Sequence, residues 1–271
     1  MRKAVILGLI GAFAIAGVAY GATTVTNVYV VHGRVIPAKS GVKTHPKPAG
    51  GHISFTVSTN PSGYRPNIIK TIVLRIQGIV ENTNKFPACG TARLTNPGEG
   101  PSTCPKHSLA GTGYLIADIS KQGDQTPSGH VITCRVELSI YNGGDHDLSY
   151  YVYAKAFEPP KNECPSSGPT GFKPEAFVAT LTKTSKGLVE SATFPQDILH
   201  PTIAGTTYDA ALIKSSVTII QRSKKVATTP HFIGLFATNF CPTNHKRQVA
   251  LTFRQENGGS RTVTKLVKCH Y

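Results

Sequence analysis

Period-two alternation, broken at short intervals by glycine, proline or asparagine, restricts this chain more than any other feature. Ile132, Cys134, Val136, Leu138 and Ile140 occupy one phase, and Thr133, Arg135, Glu137 and Ser139 the other. Successive side chains of a strand point to opposite faces, so the run is a strand with one face in a core. The pattern recurs at Ile53, Phe55 and Val57, and again at Val249, Leu251 and Phe253. Further strand signals cover 25–31, 68–77, 113–119, 148–157, 177–183, 188–194, 212–222, 232–240 and 261–268. Asn142-Gly143-Gly144 and Asn257-Gly258-Gly259 separate alternating runs and read as hairpin turns. Beyond residue 22 no window of helical length keeps an apolar stripe free of glycine or proline. About a dozen strands joined by turns predict an all-β fold, an antiparallel β-sandwich or barrel-like assembly.

The start of the chain has a different character. Arg2 and Lys3 precede nineteen uncharged residues that end in Ala19-Tyr20-Gly21-Ala22. A basic start, a short apolar run and a small-residue exit describe a secretory signal over 1–22, with a retained anchor helix as the rival reading. Residues 23–50 read as an edge strand and a basic Pro/Gly linker, and 51–271 as the exported body. Within it, 158–175 contains Pro159, Pro160, Pro165, Pro169 and Pro174. That stretch is either a loop over one assembly or the boundary between two lobes. No later run is long and apolar enough to span a membrane.

Cys89, Cys104, Cys134, Cys164, Cys241 and Cys269 all follow the leader. An even number of cysteines in an exported chain predicts disulfides, and six allow about 15 connectivities. Nearest-neighbour pairing is expected: Cys89–Cys104, Cys134–Cys164 and Cys241–Cys269. No Cys-x-x-Cys occurs, so a cysteine zinc site is not expected.

Charge is concentrated at the two ends. The net charge is +15, yet residues 81–209 carry −3, while 23–80 carry +7 and 210–271 carry +9. Chain termini of a compact domain are often neighbours, so the two basic segments are expected to share one cationic face. The candidates are Lys39, Lys43, Lys47, Arg65, Arg222, Lys224, Lys225, Lys246, Arg247 and Arg254. A second candidate is the aromatic row of Tyr151 and Tyr153 with Phe157. It lies opposite the core-facing Leu148, Tyr150, Val152, Ala154 and Ala156, where exposed rings could stack on a sugar or an apolar molecule.

Signals for chemistry are weak. There is no Gly-x-Ser-x-Gly elbow, His-Glu-x-x-His pair or phosphate-binding loop. Ser40-Gly41-Val42-Lys43 has the spacing of a Ser-x-x-Lys nucleophile but lies in a Pro/Lys-rich connector without partner motifs. Asp145-His146-Asp147 follows a glycine turn and reads as part of that turn before it reads as a cation site. His200 and His231 neighbour prolines and read as loop residues. No catalytic residue, metal ligand or cofactor is assigned.

Gly63-Tyr64-Arg65-Pro66, Gly78-Ile79-Val80-Glu81-Asn82, Phe86-Pro87-Ala88-Cys89, Cys104-Pro105-Lys106-His107-Ser108, Gly111-Thr112-Gly113 and Tyr141-Asn142-Gly143-Gly144 occur in that order, before a cysteine near the C-terminus. In this the chain resembles a family of exported, β-rich, cysteine-containing actinobacterial proteins of unassigned function, from about Gly51 to Cys269. The resemblance implies export and a β-rich body. It supplies no activity, ligand or catalytic residue.

The leading expectation is a non-enzymatic protein, secreted or associated with the cell envelope. It would bind an anionic envelope or extracellular polymer through the cationic face, with no nucleic acid as partner. The alternatives are a carrier of a small apolar or sugar ligand, which requires an enclosed cavity, and a hydrolase assembled from distant loops.

Overall fold

The computed structural model describes residues 24–96, 98–154, 173–225 and 232–271. Residues 1–23, Cys164, Phe157 and His231 lie outside them, as does most of 158–175. The fold is all-β and antiparallel, as the alternation requires.

Strands β1 (Thr26–Ile36), β2 (Lys47–Asn60), β3 (Ile69–Gln77), β4 (Ile79–Glu81) and β5 (Leu109–Lys121) come first. Then follow β6 (His130–Gly144), β7 (Asp147–Tyr153), β8 (Glu175–Thr184), β9 (Gly187–Thr193) and β10 (Thr202–Ile203). The last six are β11 (Thr206–Ile219), β12 (Ser223–Lys225), β13 (Phe232–Gly234), β14 (Phe236–Thr238), β15 (Lys246–Gln255) and β16 (Ser260–Lys268). The principal sheet runs β16-β15-β3-β9-β8-β7-β6-β5-β11-β2-β1, with β14 and β4 continuing from the first residues of β2 and β10 beside β11. β12 and β13 form a separate ribbon. β7 and β8, on either side of the proline-rich stretch, pair with each other.

The sheet curls into a half-barrel, and its two ends meet along β1 and β16. Tyr29 of β1 stacks on Phe253 of β15 at 4.2 Å between ring centroids, and Phe55 meets the same ring edge-on at 5.0 Å. A parallel bridge between Lys39 and His270 closes one end, with Ser40 N donating to His270 O at 2.7 Å. Cys241–Cys269 fixes the same corner, and the second described disulfide is Cys89–Cys104. Both match the expected pairing. Cys134 is oxidised as well, but its expected partner Cys164 is not among the described residues.

The core lines the inner face of the curl. Val31, Ile140, Leu148, Val152, Leu235 and Phe253 are fully buried, and each sits in the inward phase of its strand or beside it. Burial of such side chains contributes roughly 1.5–3 kcal/mol apiece, the main term holding the sheet closed. A second layer covers part of the outer face. Residues 82–108, with the short helix α1 (Thr91–Thr95), place Cys89 and Leu94 against Tyr141, Tyr151 and Ala176. Asn142 holds that layer down, its side-chain amide standing 2.9–3.0 Å from the carbonyls of Thr83, Phe86 and Pro87.

Some boundaries differ from the expectation, each for a local reason. The tight turn after β6 is Asp145-His146, both at positive φ, while Asn142-Gly143-Gly144 belongs to the strand. The run 232–240 divides at Leu235 between β13 and β14. Part of the presumed linker is strand: β2 begins at Lys47, pairs with β14 through Ala49, then turns to β1 and β11 at Gly50-Gly51. A Cβ at Gly50 would stand 2.5 Å from Ile219 O, and one at Gly51 2.7 Å from Arg34 O. Only glycine allows that approach.

Candidate functional site

The positions proposed for one cationic face separate. Arg65 and Arg247 are buried, at 5% and 0% exposure, and are removed from any surface. Burial is tolerated for Arg65 because its Nη2 donates to Asp209 Oδ2 at 2.8 Å; burial still pulls its pKa down, against the charge of Asp209. Arg247 donates to Ser40 Oγ at 2.8 Å and Phe240 O at 3.1 Å, and burial pushes it down to about 10. Arg222 is half-buried and caps Leu109 O. Lys224 and Lys225 sit on the separate ribbon, Lys224 Nζ lying 5.5 Å from the Phe86 ring. Arg254 is exposed at the far end of β15, about 27 Å along the strand from Lys246. Lys47 is half-buried at the start of β2, and Lys43 is exposed in the turn closed by Val42 and His45.

A smaller group does come together. Lys39 bridges to His270, and Lys246 is the cross-strand partner of Lys268. These bases lie on the segments that meet at the Cys241–Cys269 corner.

Tyr151 and Tyr153 project from the outer face of β7, opposite the buried Leu148 and Val152. Their rings stand 5.5 Å apart, but Tyr151 is packed into the layer held by Cys89 and Leu94. The row is therefore partly covered and not an open stacking platform. His146 is positioned by its turn: its Nδ1 lies 2.6 Å from Glu81 Oε1. Burial would raise the Glu81 carboxyl, but hydrogen bonds from Thr83 and His146 outweigh it and hold Glu81 below its ordinary range. Ser40, of the Ser-x-x-Lys spacing, is buried, and its hydroxyl is engaged by Arg247.

Two groups of polar residues were not singled out in the sequence. The first is a chain of charges at one end of the interior. Asp209 accepts from Arg65 and from Gly123 N at 2.9 Å, and its other oxygen lies 2.9 Å from His200 Nδ1. His200 Nε2 lies 3.1 Å from Glu256 Oε2. With a carboxylate at each ring nitrogen, the imidazole clamps Asp209 to Glu256.

The second group lies in a cavity of about 140 Å³ inside the curl. Ile53 and Phe55 of β2, Ile72 and Leu74 of β3, Leu138 of β6, Phe177 of β8, Val217 of β11 and Leu251 of β15 form its apolar walls. A smaller void of about 40 Å³ lies beyond Leu115 and Phe194, which line both. Into the larger cavity project Tyr150 of β7 and Glu190 of β9, and the Tyr150 hydroxyl donates to Glu190 Oε1. Both are half-buried, and both line the cavity. Burial raises the Glu190 carboxyl above its ordinary range and drives the Tyr150 phenol well above its own, with the Glu190 charge acting in the same direction on Tyr150. Arg34, exposed on β1, and Gly50-Gly51 line the cavity where it approaches the surface. One signal for this site was present in the sequence. Leu188, Glu190, Ala192 and Phe194 share a phase, so Glu190 is the acid in an inward-facing row.

Among the described residues no group of His, Cys, Asp and Glu is arranged to hold a metal, and no helix is long and apolar enough to cross a membrane. What fold and site define together is an all-β half-barrel with an apolar internal cavity and one enclosed acid–phenol pair. No family model, curated protein or solved structure matches the chain.

Proposed function

We propose that the protein is an extracytoplasmic carrier or receptor of a small apolar molecule, held in the cavity of the half-barrel. The observation that supports this is the cavity itself, about 140 Å³ bounded by aliphatic and phenyl groups. Close packing is the rule in protein interiors, and an empty apolar space of this size forfeits dispersion contacts. A cavity of about 150 Å³ with similar walls admits a benzene-sized guest. The disulfides are compatible with an oxidising compartment. Titration with toluene, followed by calorimetry or by methyl NMR shifts, tests the reading. Saturable binding that is lost when Ala192→Phe fills the cavity supports it. Absence of binding to the wild-type protein overturns it.

A second reading, contact with an anionic envelope polymer, draws on Lys39, Lys246 and Lys268 around the Cys241–Cys269 corner. Like charges placed opposite each other on adjacent strands weaken a sheet, so Lys246 facing Lys268 is a cost that an anionic partner would offset. Retention on isolated envelope that falls as salt is raised supports it. Retention indifferent to salt refutes the electrostatic part.

A further inference from the structure

The class of guest can be read from the Tyr150–Glu190 pair, an inference that rests on the cavity reading above. Glu190 stands between Leu74 and Leu181, its cross-strand partners on β3 and β8. The Tyr150 hydroxyl occupies Oε1, and Oε2 has no hydrogen-bond partner among the described residues. Among the described residues no cation forms an ion pair with the carboxyl. The facing residues of β3 and β15 are Ile72, Leu74, Ile76, Val249 and Leu251, and those of β8 are Phe177 and Leu181. The other charged side chain lining the cavity is Arg34, which is exposed at the rim.

Apolar walls favour the neutral form of a carboxyl without a counter-ion. With Oε1 accepting from Tyr150, the acidic proton belongs on Oε2, a donor with no hydrogen-bond partner among the described residues; the Ser215 hydroxyl is a further polar group of the lining. Such a donor distinguishes guests sharply. A hydrocarbon leaves it unsatisfied. A carboxylate brings a charge that must be desolvated or protonated. An ammonium demands an ionised Glu190 in apolar surroundings. A carbonyl or ether oxygen accepts from Oε2 and creates no charge.

The geometry points to an uncharged, ring-sized apolar ligand bearing a single oxygen acceptor, seated with that oxygen on Glu190 Oε2 and its hydrocarbon against the cavity wall.

Cyclohexanone and methylenecyclohexane form a suitable probe pair, because a CH2 group replaces the ketone oxygen at nearly constant shape. Affinities of both are measured by calorimetry for the wild-type protein, for Glu190→Leu combined with Tyr150→Phe, so that no phenol is left free to donate, and for Glu190→Gln. The ratio of ketone to alkene affinity is expected to fall about tenfold in the double variant, the worth of one buried hydrogen bond. It is expected to persist in Glu190→Gln, whose amide still donates. An unchanged ratio in the double variant overturns the inference while leaving the cavity reading intact, since the alkene still binds. Binding of neither probe to the wild-type protein removes the cavity reading itself. Cyclohexylamine binding to the wild-type protein more tightly than the ketone also overturns the inference, and that comparison requires no variant.

Discussion

Asp209 and Glu190 are both carboxyl groups enclosed by this sheet, and their surroundings differ in every respect that matters. Asp209 receives a guanidinium, a backbone N–H and an imidazole, so both oxygens are satisfied. Glu190 receives one phenol and faces empty space. A buried charge with a full set of donors fastens elements together: here the β2–β3 connection, β11, the segment after helix α2 (Gln196–Leu199) and the end of β15. An enclosed acid with spare hydrogen-bonding capacity beside a cavity contributes little to folding and is available to a guest. The contrast separates the structural end of the interior from the receptive one.

The strongest way to break that contrast is at Asp209. Asp209→Ala leaves Arg65 buried without its partner and is expected to destabilise the protein by about 3–5 kcal/mol in urea unfolding. Replacing both as Arg65→Met with Asp209→Leu is expected to recover much of the loss, because no charge is then stranded. If the single variant unfolds like wild type, the clamp is not structural.

At the receptive end the sign reverses. Glu190→Leu combined with Tyr150→Phe removes the under-satisfied acid together with the phenol it would otherwise strand, and is expected to stabilise by about 1–3 kcal/mol at neutral pH. A loss of similar size would place Glu190 among the structural groups. The pH dependence follows from the same shift. The folded protein holds the Glu190 proton more tightly than the unfolded chain does. Stability therefore falls as pH rises from about 4.3, the ordinary glutamate value, to the raised folded value, and the penalty is constant above it. Glu190→Gln is expected to lack that fall when Tm is followed across the acid range. An identical pH profile in the two proteins would show the acid to be ionised and solvated when folded.

His200→Gln tests the clamp more gently. Its ring is a quarter exposed, and loss of the bridge between Asp209 and Glu256 is expected to cost about 1 kcal/mol, with no effect on toluene binding. The smallest effect is expected at the basic corner. Lys268→Glu places opposite charges across from each other at Lys246 and is expected to stabilise by about 0.2–1 kcal/mol at low salt while weakening retention on envelope.

Much of the secondary structure was readable because a strand writes its inner face into every second residue. Ile132 to Ile140 needed no more than that, and the Asn257-Gly258-Gly259 turn joins β15 to β16 as its residues imply. Glu190 and Arg247 also fall in the inward phase of their strands, but Arg247 was expected on the cationic face, because a charged residue in an apolar phase marks an exception without saying what it meets. Arg65 lay in a loop with no periodicity to reveal burial. The strand pairing brings Asp209 to it across 144 positions, and no local pattern contains that distance.

Local alternation and turn residues thus determined the all-β class and the phase of most strands; the cysteine count implied disulfides, while the fold decided the pairs Cys89–Cys104 and Cys241–Cys269 among about 15 connectivities. The curl of the sheet decided the rest. It left a cavity behind Glu190, filled the space around Asp209 with donors and divided the basic residues between surface and core. Those outcomes depend on which strands become neighbours, and that is set by the packing of the whole sheet, not by any short stretch of chain.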